Sequence, residues 1–327
     1  MRWLEAAPAY VRCVFRRNYG SLTIDGPLSE TSRWRAVARV LRSPLVSISD
    51  AIACTCLPAS CALCGCPLPR ISSVPICNAC WTEIPVHSEP VCRRCGDSLD
   101  MPPVEGSASS QLCRTCRLAP PKFARAVAFG TYDGRMRALI HALKYDRMHP
   151  AARGLGSMLA EAIAQLLPEA PAEMLVVPVP LHRTKQRQRG FNQARALAKC
   201  AMDALRKSHP AWKLTLAPSI LMRLRSTESQ AGLTPRQRRL NVRGAFKVAD
   251  PGVVRGRHVL LVDDILTTGA TARAAAQSLI KAGAASVYVA TLARARRINA
   301  NNAQNHRAQP NQFAGMHSSS STHQPVA

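Results

Sequence analysis

Two neighbouring carboxylates, Asp263 and Asp264, close a short apolar run, Val259 to Val262, and are followed at once by Thr267, Thr268, Gly269, Ala270 and Thr271. Adjacent carboxylates at a strand end can accept hydrogen bonds from vicinal hydroxyls or help position a divalent cation such as Mg2+. A Thr/Gly loop feeding a helix turns backbone N–H groups and hydroxyls toward a phosphate, assisted by the helix dipole. The loop is not a Walker A loop, because no Gly-Lys-Ser/Thr follows.

The second chemical pattern is made of cysteines. Eight of the 13 fall in four Cys-x2-Cys pairs: Cys61/Cys64, Cys77/Cys80, Cys92/Cys95 and Cys113/Cys116. Two thiolates in one tight turn, joined by two from a second turn, supply the four soft ligands of a closed tetrahedral zinc site, with no position left for water or substrate. Such sites are structural. Gly65 and Gly96 follow Cys64 and Cys95, as a turn needing positive φ requires, whereas Cys80 and Cys116 lack that Gly. The segment therefore reads as one unit written twice, which predicts two sequential sites, Cys61–Cys80 and Cys92–Cys116; an interleaved cross-brace is the alternative. Disulfides are disfavoured in a reducing compartment. Cys54, Cys56 and Cys66 are spare thiols nearby, Cys13 is isolated, and Cys200 lies in an apolar helical stretch; each reads as a small buried or unpaired residue.

These side chains need a frame. Val259 to Val262 has the continuous apolar character of a parallel strand covered on both faces; Ala272 to Ala282 reads as a helix ended by Gly283, and Ala284 to Leu292 as the next strand. Met174 to Val177 is another short buried strand, ended by Pro178 and Pro180, which runs into a basic loop carrying Arg183, Lys185, Arg187 and Arg189. Four cations beside a phosphate cradle are candidates to neutralise a pyrophosphate. Residues 223–239, polar and Arg-rich, read as a lid.

Length and charge set the outer limits. A chain of 327 residues with 47% apolar content suggests about two domains and an ordinary core. The net charge of +25 is not spread evenly: residues 122–297 hold 30 Lys+Arg against 10 Asp+Glu, whereas residues 61–121 are balanced at five of each. A positive field of that kind suits nucleic acid or a polyanionic small molecule. Two zinc sites of four thiolates would each carry −2, which makes the cysteine module net acidic and turns it toward a protein partner or the basic domain. No apolar run approaches a membrane span, and Met1 to Ser21 is broken by Glu5, Arg12, Arg16 and Arg17, so the expected location is the cytoplasm. Trp34 to Leu41 suggests a short helix, and the Asn/Gln/Ser/His-rich end suggests a disordered tail.

Val259 to Thr271 resembles the phosphoribosyl pyrophosphate (PRPP) signature of type I phosphoribosyltransferases. With the upstream cysteine pairs, Leu143-Lys144-Tyr145-Asp146 and the basic segment after residue 181, residues 55–297 resemble the ComF family of phosphoribosyltransferase-like proteins. The resemblance implies an α/β fold, a type I phosphoribosyltransferase-like parallel sheet flanked by helices, preceded by a small four-cysteine zinc-ribbon module. It implies an organisation of 1–53 extension, 54–121 double zinc ribbon, 122–297 phosphoribosyltransferase-like domain and 298–327 tail. Asp263 and Asp264 would contact the ribose hydroxyls, Thr267 to Thr271 the 5′-phosphate, and Arg183, Lys185, Arg187 and Arg189 with Mg2+ the departing pyrophosphate. Arg135 to Arg153 or the zinc module would select the acceptor, which stays unnamed, as does the oligomeric state. The resemblance also implies DNA uptake, with single-stranded DNA or a DNA-uptake protein as partner; Tyr145, Phe191 and Phe246 are the aromatic stacking candidates near basic runs. A protein that binds single-stranded nucleic acid without transferase activity, and a noncatalytic scaffold, are the competing readings.

Overall fold

A computed structural model describes residues 59–69, 72–87, 90–99, 111–145, 148–225 and 235–296. The extension, Cys13, Cys54, Cys56, the tail and residues 226–234 of the expected lid lie outside the described residues.

The described residues open with the cysteine segment, where they include two five-residue helices, α1 (Asn78–Thr82) and α2 (Arg114–Leu118). Strand β1 (Arg125–Thr131) follows, then helices α3 (Gly134–Tyr145) and α4 (Ala151–Ala164). Next come β2 (Glu173–Pro178), α5 (Arg183–Arg189), α6 (Gln193–Ser208) and β3 (Lys213–Leu216). A hairpin of β4 (Leu221–Arg223) and β5 (Phe246–Val248) brackets α7 (Pro235–Val242). The chain continues through α8 (Pro251–Val254), β6 (His258–Leu266), α9 (Ala270–Lys281) and β7 (Ser286–Arg294).

Five strands form one sheet in the order β1-β7-β6-β2-β3, every neighbouring pair parallel. The period of two along each strand divides the core between its faces. Leu260, Val262, Ala290 and Leu292 pack on one side with residues of α3, α4 and α6, while Val259, Leu261, Val287 and Val289 pack on the other with α9. Because both faces are covered, these strands carry unbroken apolar runs. Helices α4 and α6 meet closely at Gly156, where an added Cβ would lie 2.3 Å from the Cβ of Cys200.

The expected strands and helix are present with altered limits: the strands expected at 174–177 and 259–262 are longer, the helix expected at 272–282 runs Ala270–Lys281, and the strand expected at 284–292 is shifted to Ser286–Arg294. Strand β6 does not stop at Val262: Asp263 pairs with Thr291 and Ile265 with Ala293, so the acidic pair lies within a strand that β7 accompanies to Arg294. The basic segment expected as a loop is helix α5, begun by His182, whose Nδ1 accepts from the Thr184 amide at 3.4 Å, and stopped by Gly190 at φ 79°. Its seven residues carry no apolar periodicity, so the pattern that reveals a packed helix was missing.

The cysteine segment repeats itself in space as it does in sequence. Cys61 N donates to Cys66 O at 2.8 Å and Cys92 N to Asp97 O at 2.7 Å; Gly65 and Gly96 close their turns at φ 70° and 65°. The other half of each unit is a turn of helix, with Cys77 and Cys113 preceding α1 and α2 and Cys80 and Cys116 within them. A helical turn brings residues three apart to one side without positive φ, which is why no Gly follows those pairs.

Candidate functional site

The carboxyl ends of β6 and β2 open into a cavity of about 350 Å3. Asp263 and Asp264 form its floor. Thr267, Gly269, Ala270 and Thr271 line one wall, and Lys185, Arg189 and Arg223 line another, with Tyr132 and Tyr145 at the margin. Gly269 takes φ 75° to cap α9, a twelve-residue helix whose first turn therefore faces the cavity. The dipole of that helix makes the wall anion-seeking.

The floor is electrostatically tight. Asp263 Oδ1 accepts from the Asp264 amide at 2.9 Å. Burial, and then the neighbouring Asp264 charge, push the Asp263 carboxyl up to about 7, against the opposing pull of that amide, Lys144 and Arg223. Lys144 Nζ lies 2.9 Å from Asp264 Oδ2. Burial works against the ammonium, but the Asp264 carboxylate outweighs it and holds Lys144 above its ordinary value.

On the cationic wall the direction is reversed. Burial, with the charges of Arg223 and Arg189, lowers the Lys185 ammonium, and burial lowers Arg223 although Asp263 opposes it. An arriving polyanion would relieve both. Arg189 lies over the Tyr145 ring, 5.1 Å from its centroid, and donates to the Tyr145 hydroxyl at 3.2 Å.

Helical geometry separates the four cations of α5. Lys185 and Arg189, four residues apart, share the face that lines the cavity, whereas Arg183 and Arg187 share the opposite face and are exposed. Thr268 does not line the cavity; its Oγ1 accepts from the Ala270 amide at 3.4 Å. Of the stacking candidates, Tyr145 is exposed, Phe246 is buried beneath Arg223, and Phe191 packs edge-on against His149. Lys144 and Arg223 are the additions to the set: Lys144 stood in a recognised motif without a role, and Arg223 stood in the expected lid.

The eight paired cysteines gather into two groups, Cys61/Cys64/Cys77/Cys80 and Cys92/Cys95/Cys113/Cys116, with the sulfurs of each group within 4.8 Å of one another. The cross-braced alternative is thereby set aside. Cys61 and Cys80 sulfurs are 3.9 Å apart, and Cys64–Cys77 and Cys95–Cys113 are each 3.6 Å apart. A tetrahedral ion with bonds of about 2.3 Å places its sulfurs about 3.8 Å apart, so both groups have the size of a metal site. Amides of Cys77 and Leu63 point at Cys61 Sγ at 3.3 and 3.5 Å and, despite burial, bring that thiol down to about 7. Cys92 is lowered by the thiols of Cys116 and Cys95, while Cys116 is pushed up to about 12, chiefly by Cys92. A ligand set crowded with competing thiols favours a cation that takes all four as thiolates.

A parallel sheet of this order with an acidic strand end and a Thr/Gly loop defines a protein of the phosphoribosyltransferase fold class. Residues 214–311 match the family model described as a phosphoribosyl transferase domain. Across most of its length the chain is 31% identical to the DNA utilization protein YhgH of Salmonella typhi, covering 73% of this chain and 98% of that protein. It is 31% identical to Competence protein F of Haemophilus influenzae, covering 67% and 90%, and 26% identical to Competence protein ComFC of Bacillus subtilis, covering 67% and 84%. The chain belongs to the ComF family of phosphoribosyltransferase-like proteins. Among the described residues no helix is long and apolar enough to cross a membrane.

Proposed function

We propose that the cavity binds PRPP with Mg2+ and that the protein transfers its phosphoribosyl group to an acceptor. One observation carries the reading: an acidic pair and the amino end of α9 face one cavity whose other wall is cationic. In this reading Asp263 and Asp264 take the ribose hydroxyls, and Thr267, Gly269, Ala270 and Thr271 the 5′-phosphate. Lys185 and Arg189, with Arg223, receive the charge that develops on pyrophosphate as the anomeric bond breaks. Mg2+, when bound, would share that charge. Asp264 is the residue that must exchange its ion pair with Lys144 for the new ligand. The two cysteine groups hold Zn2+ as structural ions, the protein works in the cytoplasm, and the domain limits are 54–121 and 122–297.

Calorimetric titration of zinc-loaded protein with PRPP and Mg2+, beside a folded Asp263→Asn/Asp264→Asn variant, tests this. Saturable binding that the variant loses is the expected result; absence of binding to the unaltered chain would sink the reading.

A second reading is supported by the names of the relatives, which speak of DNA utilization and competence, together with the basic domain. It is single-stranded DNA binding in the service of DNA uptake, with phosphate contacts spread over exposed arginines such as Arg183 and Arg187 and stacking on Tyr145. Affinity for an oligonucleotide that falls steeply with salt would favour it. The two readings are compatible.

A further inference from the structure

Arg294, the last residue of β7, is buried to 1% exposure. Its Nη2 lies 3.1 Å from Asp97 Oδ1, and Asp97 is itself only 5% exposed. From the same guanidinium, Nη1 donates to the carbonyls of Leu266, at 2.7 Å, and of Thr267, and also reaches Ala295 O at 3.2 Å. One side chain thus joins the second cysteine unit to the first residue of the Thr/Gly loop.

The repeat shows that Asp97 is not required by the cysteine turn. Its counterpart in the first unit is Cys66, and the same backbone hydrogen bond closes that turn. A carboxylate at position 97 answers instead to Arg294, whose buried charge needs a counter-charge and acceptors for its forked donors. The first unit has a contact of another kind with the domain, an exposed pair between Glu83 and Arg135.

We propose that the second four-cysteine site sets the geometry of the phosphate loop through Asp97 and Arg294. Metal held by Cys92, Cys95, Cys113 and Cys116 fixes the turn that carries Asp97; Asp97 orients the guanidinium; the guanidinium pins the carbonyls of Leu266 and Thr267 and so aims the amides that follow. Arg294 and Asp97 are positioning residues. Because such coupling is reciprocal in free energy, a phosphorylated ligand in the loop also tightens metal binding at the second site. The proposal rests on the loop being the phosphate cradle of the preceding subsection.

The test is hydrogen exchange at residues 266–271 of the full, zinc-loaded chain, with PRPP·Mg2+ calorimetry alongside, in Asp97→Asn, Arg294→Lys and the control Glu83→Gln. Lysine keeps the charge but cannot span the carboxylate and the carbonyls together. We expect exchange at the loop to rise and PRPP affinity to fall by about 5-fold or more in the first two variants, with β2 protection and the control unchanged. Unchanged loop exchange in folded Asp97→Asn and Arg294→Lys would overturn the proposal. Should both fail to fold, graded chelation of the unaltered chain decides, since loop exchange that does not follow release of the second metal overturns it equally. If the unaltered chain binds no PRPP, the functional reading fails, while the exchange measurements still decide the coupling.

Discussion

Lys144 and Asp264, brought from opposite ends of the domain, form an ion pair of 2.9 Å in which each side chain keeps less than a fifth of its surface exposed. Lysine reaches it from the last turn of α3, aspartate from β6. Removing one partner of an enclosed pair leaves the other charge uncompensated, which costs up to about 3 kcal/mol. Lys144→Met should therefore lower stability in urea unfolding, and it should weaken PRPP·Mg2+ binding if the ammonium orients the carboxylate. Unaltered binding in a folded Lys144→Met protein would assign the pair to stability alone.

The Asp263 carboxyl, held near 7, predicts the sign of a pH effect. Its ordinary value is about 3.9, so between roughly pH 4 and 7 the folded chain holds a proton that the unfolded chain has released. The stability this contributes is present at low pH and is lost as pH rises through about 7. Relative to Asp263→Asn, the unaltered protein should lose stability from pH 5 to pH 8 in parallel unfolding series; equal slopes would contradict the assignment.

The two faces of α5 should separate in binding measurements. Alanine at Lys185 or Arg189 removes a cation from the cavity wall and is expected to weaken PRPP about 10-fold or more, whereas alanine at Arg183 or Arg187 should leave it within about 2-fold. Oligonucleotide affinity gives the complementary reading, because exposed arginines contribute to its salt dependence whichever face they occupy.

Metal content follows from the two sulfur groups. Native mass spectrometry of the protein as isolated should show two zinc ions, and Cys64→Ser or Cys95→Ser should each remove one. A variant that loses both ions together would mean that the two units fold as one.

The Thr/Gly loop at the cavity was legible because its residues are contiguous, and the cysteine grouping because its spacing repeats. Lys144, Arg223 and Arg294 were harder to assign, since each meets its partner only after distant segments are brought together: Lys144 from α3, Arg223 from β4, and Arg294 from the end of β7, beside Asp97. Arg183 and Arg187 looked equivalent to Lys185 and Arg189 because a basic stretch read as loop has no inner and outer face. Gly190 was the one local sign of a helix end. The extension of β6 through Asp263 was hidden for a different reason: strand patterns end where side chains turn polar, but backbone pairing with β7 continues.

The cysteine units also determine what the edge of the sheet presents to other molecules. Strand β1 is an outer strand, and the chain before it occupies its open side: Val86 bridges Gly130 in antiparallel fashion, His87 N donates to Phe129 O at 3.2 Å, and Ala126 N donates to Arg94 O at 2.9 Å. Gly130 has no room even for a methyl group, which would lie 2.3 Å from Pro85 O. One unit packs with the core on each face of the sheet, so together they straddle that edge like a clasp. Metal-stripped protein would uncover a seven-residue strand with unpaired backbone groups, a template for strand addition between molecules. If the cysteine groups hold zinc as proposed, the metal also safeguards solubility, and its loss would be felt first as self-association.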